Sequence, residues 1–152
     1  MKKISFFIIM CFVALSTINA QHFEINKTEL PNNVIQFIDN HYKDYKNPII
    51  YIEYDSYRNN RVDEFEIHYP NGTVLEFNEK GLLKSIDCGI NDSISVNVLP
   101  INIRLAFNKI NVSKLKIVDL SIDRRRNAID YEIELENSVD YTFNKHGKLK
   151  RD

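Results

Sequence analysis

The sequence has no tryptophan, and among its 152 residues only four glycines, four prolines and two cysteines. So little glycine and proline excludes a collagen-like or low-complexity chain, and two cysteines cannot form a disulfide scaffold. No excess of basic charge is present: 20 Lys and Arg stand against 21 Asp and Glu, a formal net charge of -1. A protein held to nucleic acid by phosphate contacts needs a basic face, so that class is set aside. Long hydrophobic runs are also missing, with one exception at the start.

Lys2 and Lys3 precede an apolar run from Ile4 to Leu15, followed by Ser16-Thr17-Ile18-Asn19-Ala20. A short basic start, an apolar core of about 7–15 residues and a small residue at the cut describe a secretory signal peptide. The run falls short of the roughly 20 residues that a membrane span requires. Residues 1–20 are therefore expected to be a signal peptide cleaved after Ala20, giving a periplasmic or secreted protein with no membrane insertion afterwards. Cys88 would be its single remaining cysteine. Without an intramolecular disulfide, stability has to come from a hydrophobic core.

The remaining chain repeats itself. Shifting it by 66 positions lays Ile49–Lys84 over Leu115–Lys150 without a gap, and nine of these 36 positions are identical. Phe65-Glu66-Ile67 meets Tyr131-Glu132-Ile133, and Phe77-Asn78-Glu79-Lys80-Gly81 meets Phe143-Asn144-Lys145-His146-Gly147. Dropping three residues from the second copy extends the match upstream, where Leu30-Pro31 meets Leu99-Pro100. The expected organisation is an N-terminal leader over 21–29, a first repeat over 30–87, a linker over 88–98 and a second repeat over 99–152.

Each copy opens on a helix signal. Pro31 and Pro100 suit the first helical position, whose N–H has no partner within the helix. Leu30, Val34, Phe37, Ile38 and Tyr45 fall on one stripe, as do Leu99, Ile103, Phe107 and Ile110. The period then switches to two. Ile50, Ile52 and Tyr54 alternate with polar residues, then Phe65 and Ile67, then Thr73, Leu75 and Phe77. Val118, Leu120 and Ile122 begin the same pattern in the second copy, and Ile129, Tyr131, Ile133 and Leu135 continue it. Asn71-Gly72 and Gly81 supply turns. The fold class is α+β: two tandem repeats, each one helix followed by about four antiparallel strands in a meander.

These features resemble the PepSY-like family, also described as β-lactamase-inhibitor-like. The residues that carry the resemblance are Leu30-Pro31, Phe65-Glu66-Ile67, Asn71-Gly72, Glu76-Phe77 and Gly81. The second copy departs from the pattern, with Ser138 in place of the turn glycine and Thr142 before Phe143. The resemblance implies helices on one face of a curved sheet, as in β-lactamase inhibitor proteins. It specifies fold, and function has to be argued from a site.

Catalytic parts are scarce. His22, His41, His68 and His146 show no zinc-binding spacing, and no phosphate-cradling or nucleophile-elbow motif occurs. The expectation is accordingly a chain with no catalytic, cofactor or metal residues. Strand alternation instead predicts an open face carrying Tyr51, Glu53, Glu64, Glu66, His68, Glu76, Asp119, Asp130, Glu132 and Glu134, with Tyr57 at its rim. That face suits a monomeric, non-enzymatic protein-binding module, inhibitor-like towards an envelope or extracellular enzyme. The alternatives are a small carboxylate-dependent hydrolase and an envelope assembly or stress component without an enzyme partner.

Overall fold

In the computed structural model, residues 21–55, 61–110 and 115–150 are described. The expected signal peptide and Tyr57 lie outside them. Eight strands form a single antiparallel sheet in chain order. They are β1 (Gln21–Glu24), β2 (Ile49–Asp55), β3 (Arg61–His68), β4 (Val74–Asn78), β5 (Leu83–Asp87), β6 (Ile117–Arg125), β7 (Ala128–Leu135) and β8 (Asp140–Asn144). Helix α1 (Asn32–His41) enters between β1 and β2, and α2 (Ile101–Phe107) between β5 and β6. The class is α+β with one open sheet and two helices.

Direct cross-strand partners share a face, and one apolar row can be followed across the sheet this way. Ile52 faces Phe65, which faces Phe77. From Leu75 the row continues through Ile86, Leu120 and Ile133 to Tyr141. Both helices pack on this face. Val34 and Ile38 of α1, and Ile103 and Phe107 of α2, are buried in the same core as the sheet residues. The Phe37 ring meets Phe77 edge-on at 5.4 Å, and Phe107 meets Phe143 in the same way at 6.5 Å.

Each helix is also pinned by an asparagine in its first turn. Asn33 Nδ2 donates to the carbonyls of Gly81 (2.7 Å) and Lys80 (3.1 Å). Asn102 Nδ2 donates to the carbonyl of Lys145. The turns they grip are built alike, since Asn78 and Asn144 each cap two following backbone N–H groups. Gly81 and Gly147 take φ of 69° and 78° there. Ser138 stands 66 positions after Gly72 and adopts φ 60°, so it accepts a left-handed conformation that glycine reaches without strain.

Four details differ from expectation. The leader contributes β1, because Gln21–Glu24 pairs along β2. The helices begin one residue later than their prolines, which sit at the N-caps. Among the described residues, the second half has three strands plus a bridge from Phe143 to Leu149, against four strands in the first. A bulge between Ile117 and Asp119 buries Ile117 as well as Leu120, leaving Val118 only half-buried.

Candidate functional site

The face turned away from the helices is acidic. One row of direct cross-strand partners runs Asp87–Asp119–Glu134–Asp140 across β5 to β8. Like charges placed directly opposite repel. Asp119 lies in the middle, and burial together with Asp87, Glu134, Glu132 and Asp140 pushes its carboxyl up to about 6. A second row holds Tyr51, Glu66, Glu76, Ser85, Ser121, Glu132 and Thr142.

Basic groups enter this face at defined points. A bulge between Glu76 and Phe77 lets Lys84 ion-pair with Glu64 and approach Glu76 at 4.0 Å. Lys150 ion-pairs with Oδ2 of Asp130. The structure corrects the placing of Asp130 on an exposed docking surface. It is only 6% exposed, and its Oδ1 has no hydrogen-bond partner among the described residues. Its neighbours explain the burial: Asp123 and Asn144 flank it on adjacent strands, and Lys150 covers it.

The remaining expected residues divide into two groups. Glu76, Glu132 and Glu134 remain partly or fully accessible. Tyr51, Glu53, Glu64, Glu66 and His68 form a tighter patch on β2 and β3. His68 Nε2 lies 2.6 Å from Glu66 Oε2. The Glu53 carboxyl is held above its ordinary value by burial, by a hydrogen bond shared with Glu64 and by the charges of Glu64 and Glu66, against the opposing pull of His22.

His22 completes this patch, and sequence spacing gave no hint of it. It sits on β1 opposite Glu53, with Nε2 3.9 Å from Glu53 Oε2 and Nδ1 4.0 Å from Glu66 Oε1. The ring of Tyr51 stands edge-on to both imidazoles, at 6.2 Å from His22 and 5.2 Å from His68. The one available signal was the alternation His22-x-Glu24, which makes sense only once this segment is known to be a strand.

Elsewhere the geometry offers less chemistry. A hollow of about 500 Å³ beside the α1–β2 connection is lined by Asp44, Tyr45, Lys46, Tyr69, Pro70 and Asn71. It gathers no pair of carboxylates facing across a cleft. Cys88 is half-buried, and burial with Asp92, Asp87 and Asp119 pushes its thiol up to about 12, which keeps it protonated and weakly nucleophilic. His41 is exposed at the end of α1, and His146 lies in the turn after β8. No described helix is long and apolar enough to cross a membrane.

Comparison with known proteins agrees with this architecture. A putative calcium-regulated periplasmic protein of Bacteroides thetaiotaomicron superposes with TM-score 0.71 at 26% identity, covering 86% of this chain and 94% of the other. A protein described as a putative periplasmic protein from the DUF2874 family of Bacteroides vulgatus ATCC 8482 gives 0.69 at 25% identity, with coverage of 86% and 94%. A putative periplasmic protein of unknown function from the same organism gives 0.68 at 27%, with coverage of 86% and 98%. No curated protein matches the chain. The family model described as putative beta-lactamase-inhibitor-like, PepSY-like, matches residues 16–68 and 63–151, and the chain belongs to that PepSY-like family.

Proposed function

We propose that this chain is a non-catalytic periplasmic binding module, exported by a signal peptide cleaved after Ala20, whose acidic sheet face docks a basic protein partner. The observation that carries this reading is the composition of that face. Strands β2 to β8 present carboxylates in adjacent rows, and the helices cover only the opposite side. Acids arranged in this way steer a basic partner and set its on-rate. The reading also takes the two halves as tandem repeats joined through one sheet, which the matching asparagine pins and glycine turns support. Action as an enzyme inhibitor is the finer form of this proposal, and the family description is its support.

The test uses residues that leave the His22 patch intact. Reversing Glu76, Glu132 and Glu134 to Lys should leave the fold at least as stable as the parent at pH 7, since surface charges contribute little and losing Glu132 and Glu134 relieves the repulsion around Asp119. Capture of a partner from envelope extract should fall sharply, and added salt should weaken the parent's complex as well. A triple variant that captures the same partner as well as the parent refutes the docking face.

One specific observation favours a second reading. The Bacteroides thetaiotaomicron relative is described as a putative calcium-regulated protein, and the Asp87–Asp119–Glu134–Asp140 row aligns hard oxygen donors of the type such an ion takes, which would have to draw together to hold it. Because the folded pKa of Asp119 is raised, the fold binds more protons than the unfolded chain between about pH 4 and 6, and stability falls as pH rises through that window. Asp119→Asn should therefore raise the melting temperature at pH 7 and leave it unchanged near pH 4. Millimolar calcium should raise the parent's melting temperature at pH 7 and have no such effect on the variant. Equal calcium responses in the two proteins would remove this row from consideration.

A further inference from the structure

We propose that His22, Glu53 and Glu66 form a binding site for a borderline divalent cation of the zinc class, with His68 positioning Glu66. The site lies at the β1–β3 end of the sheet, away from the Asp119 row. One nitrogen of His22 and one oxygen of each of the two carboxylates all lie within 4.8 Å of one another. Ligand atoms around a tetrahedral zinc at about 2.0–2.2 Å stand roughly 3.3–3.6 Å apart, so the set has to contract by little more than about an ångström. The ring that has to turn is free to do so: the His22 side chain is 42% exposed, whereas Glu53 and Glu66 are 18% and 14% exposed.

The surroundings hold the acids in place for a cation. His68 Nε2 occupies one oxygen of Glu66, leaving the other facing His22. An imidazole–carboxylate contact of this kind fixes the orientation of a ligand. Glu64, the cross-strand partner of Glu53, ion-pairs with Lys84. Tyr51 stands edge-on to both the His22 and the His68 ring. Three protein ligands leave a fourth position open to water.

The donor chemistry selects the metal. Calcium and magnesium take oxygen ligands, and calcium needs about six to eight of them. One imidazole nitrogen with two carboxylates suits zinc and its neighbours among the transition metals. The ligands come from three strands, which is why no His-x-His or His-Glu-x-x-His spacing marks the site.

The experiment is a titration of tag-free, EDTA-stripped protein with zinc chloride near neutral pH, read by calorimetry and by the imidazole NMR signals. One equivalent should bind, shifting the signals of His22 and His68 while those of His41 and His146 stay in place. His22→Ala and Glu66→Gln should each weaken binding at least about tenfold, and His68→Ala about 10–100-fold, as positioning partners do. His41→Ala should bind like the parent. A large excess of calcium should not compete. The Glu76/Glu132/Glu134 to Lys variant keeps every ligand, so it should still take up one equivalent even if the docking proposal fails. The proposal is overturned if the parent takes up no equivalent, if His22→Ala binds as tightly as the parent, or if calcium displaces zinc at comparable concentration.

Discussion

Phe77→Ala and Phe143→Ala should each lower the free energy of unfolding by about 3–5 kcal/mol, the range for deleting a buried ring that leaves a cavity. Both rings are 1% exposed. Each is met edge-on by an aromatic from a helix, Phe37 for Phe77 and Phe107 for Phe143. Each also faces an aromatic across the ladder, Phe65 and Tyr131 respectively. The lost rings therefore remove helix-to-sheet contact in both halves, and rigid strands on either side leave little room for the cavity to collapse. Urea denaturation of the two variants measures the loss. A cost below about 1 kcal/mol at both positions would mean that the helices hold to the sheet by other contacts.

These two rings were legible in the sequence because they rest on local information. A period of two assigns Phe65, Ile67, Leu75 and Phe77 to one face, and Gly81 marks where the strand must turn. The same logic fails where a feature depends on distant pairing. Lys84 and Ile117 sit at bulges, and an extra residue inverts the phase that alternation relies on. Asp130 follows the alternation correctly, yet it is buried because Lys150, twenty residues on, folds over it. The short polar segment Gln21–Glu24 has too few apolar residues to declare itself a strand, and it becomes one only by pairing along β2. The acidic face could therefore be derived from the sequence, whereas the His22 patch could not. His22 meets Glu53 and Glu66 through a sheet edge formed from residues 31 and 44 positions apart.

The segment expected as a linker is where the second large effect should appear. Residues after β5 are tied to the β3–β4 turn and to the α1–β2 connection through one carboxylate. Asp92 Oδ2 accepts hydrogen bonds from Tyr45 Oη at 2.5 Å, Asn71 Nδ2 at 2.8 Å and Thr73 Oγ1 at 3.2 Å. Its Oδ1 accepts from the backbone N–H of Ser93 at 2.8 Å. Thr73 is fully buried, and its Oγ1 also accepts from the backbone N–H of Gly89 at 3.1 Å. Gly89 approaches so closely that a Cβ there would lie 2.0 Å from the carbonyl oxygen of Asn71 and 2.9 Å from the backbone nitrogen of Thr73. Both obstacles are backbone atoms, so no side-chain rotation relieves the clash, and the β3–β4 turn has to separate from the strand end. Gly89→Ala should therefore cost about 3 kcal/mol, the upper end for overpacking. Asp92→Ala should cost about 2–3 kcal/mol, because it strands the buried Thr73 hydroxyl and its neighbours without their acceptor. The two losses should be less than additive, since both open the same corner. The hydrogen bonds from Tyr45, Ser93, Thr73 and Asn71 outweigh burial and hold the Asp92 carboxyl below its ordinary value. Its contribution is thus present above the unfolded value near 3.8 and is lost as pH falls through the lower folded one. Denaturation at pH 7 and near pH 3 separates the two variants: the Asp92→Ala deficit shrinks in acid, whereas the Gly89→Ala deficit, being steric, persists. A Gly89→Ala protein as stable as the parent would show that this corner yields without cost and does not join the two halves of the sheet.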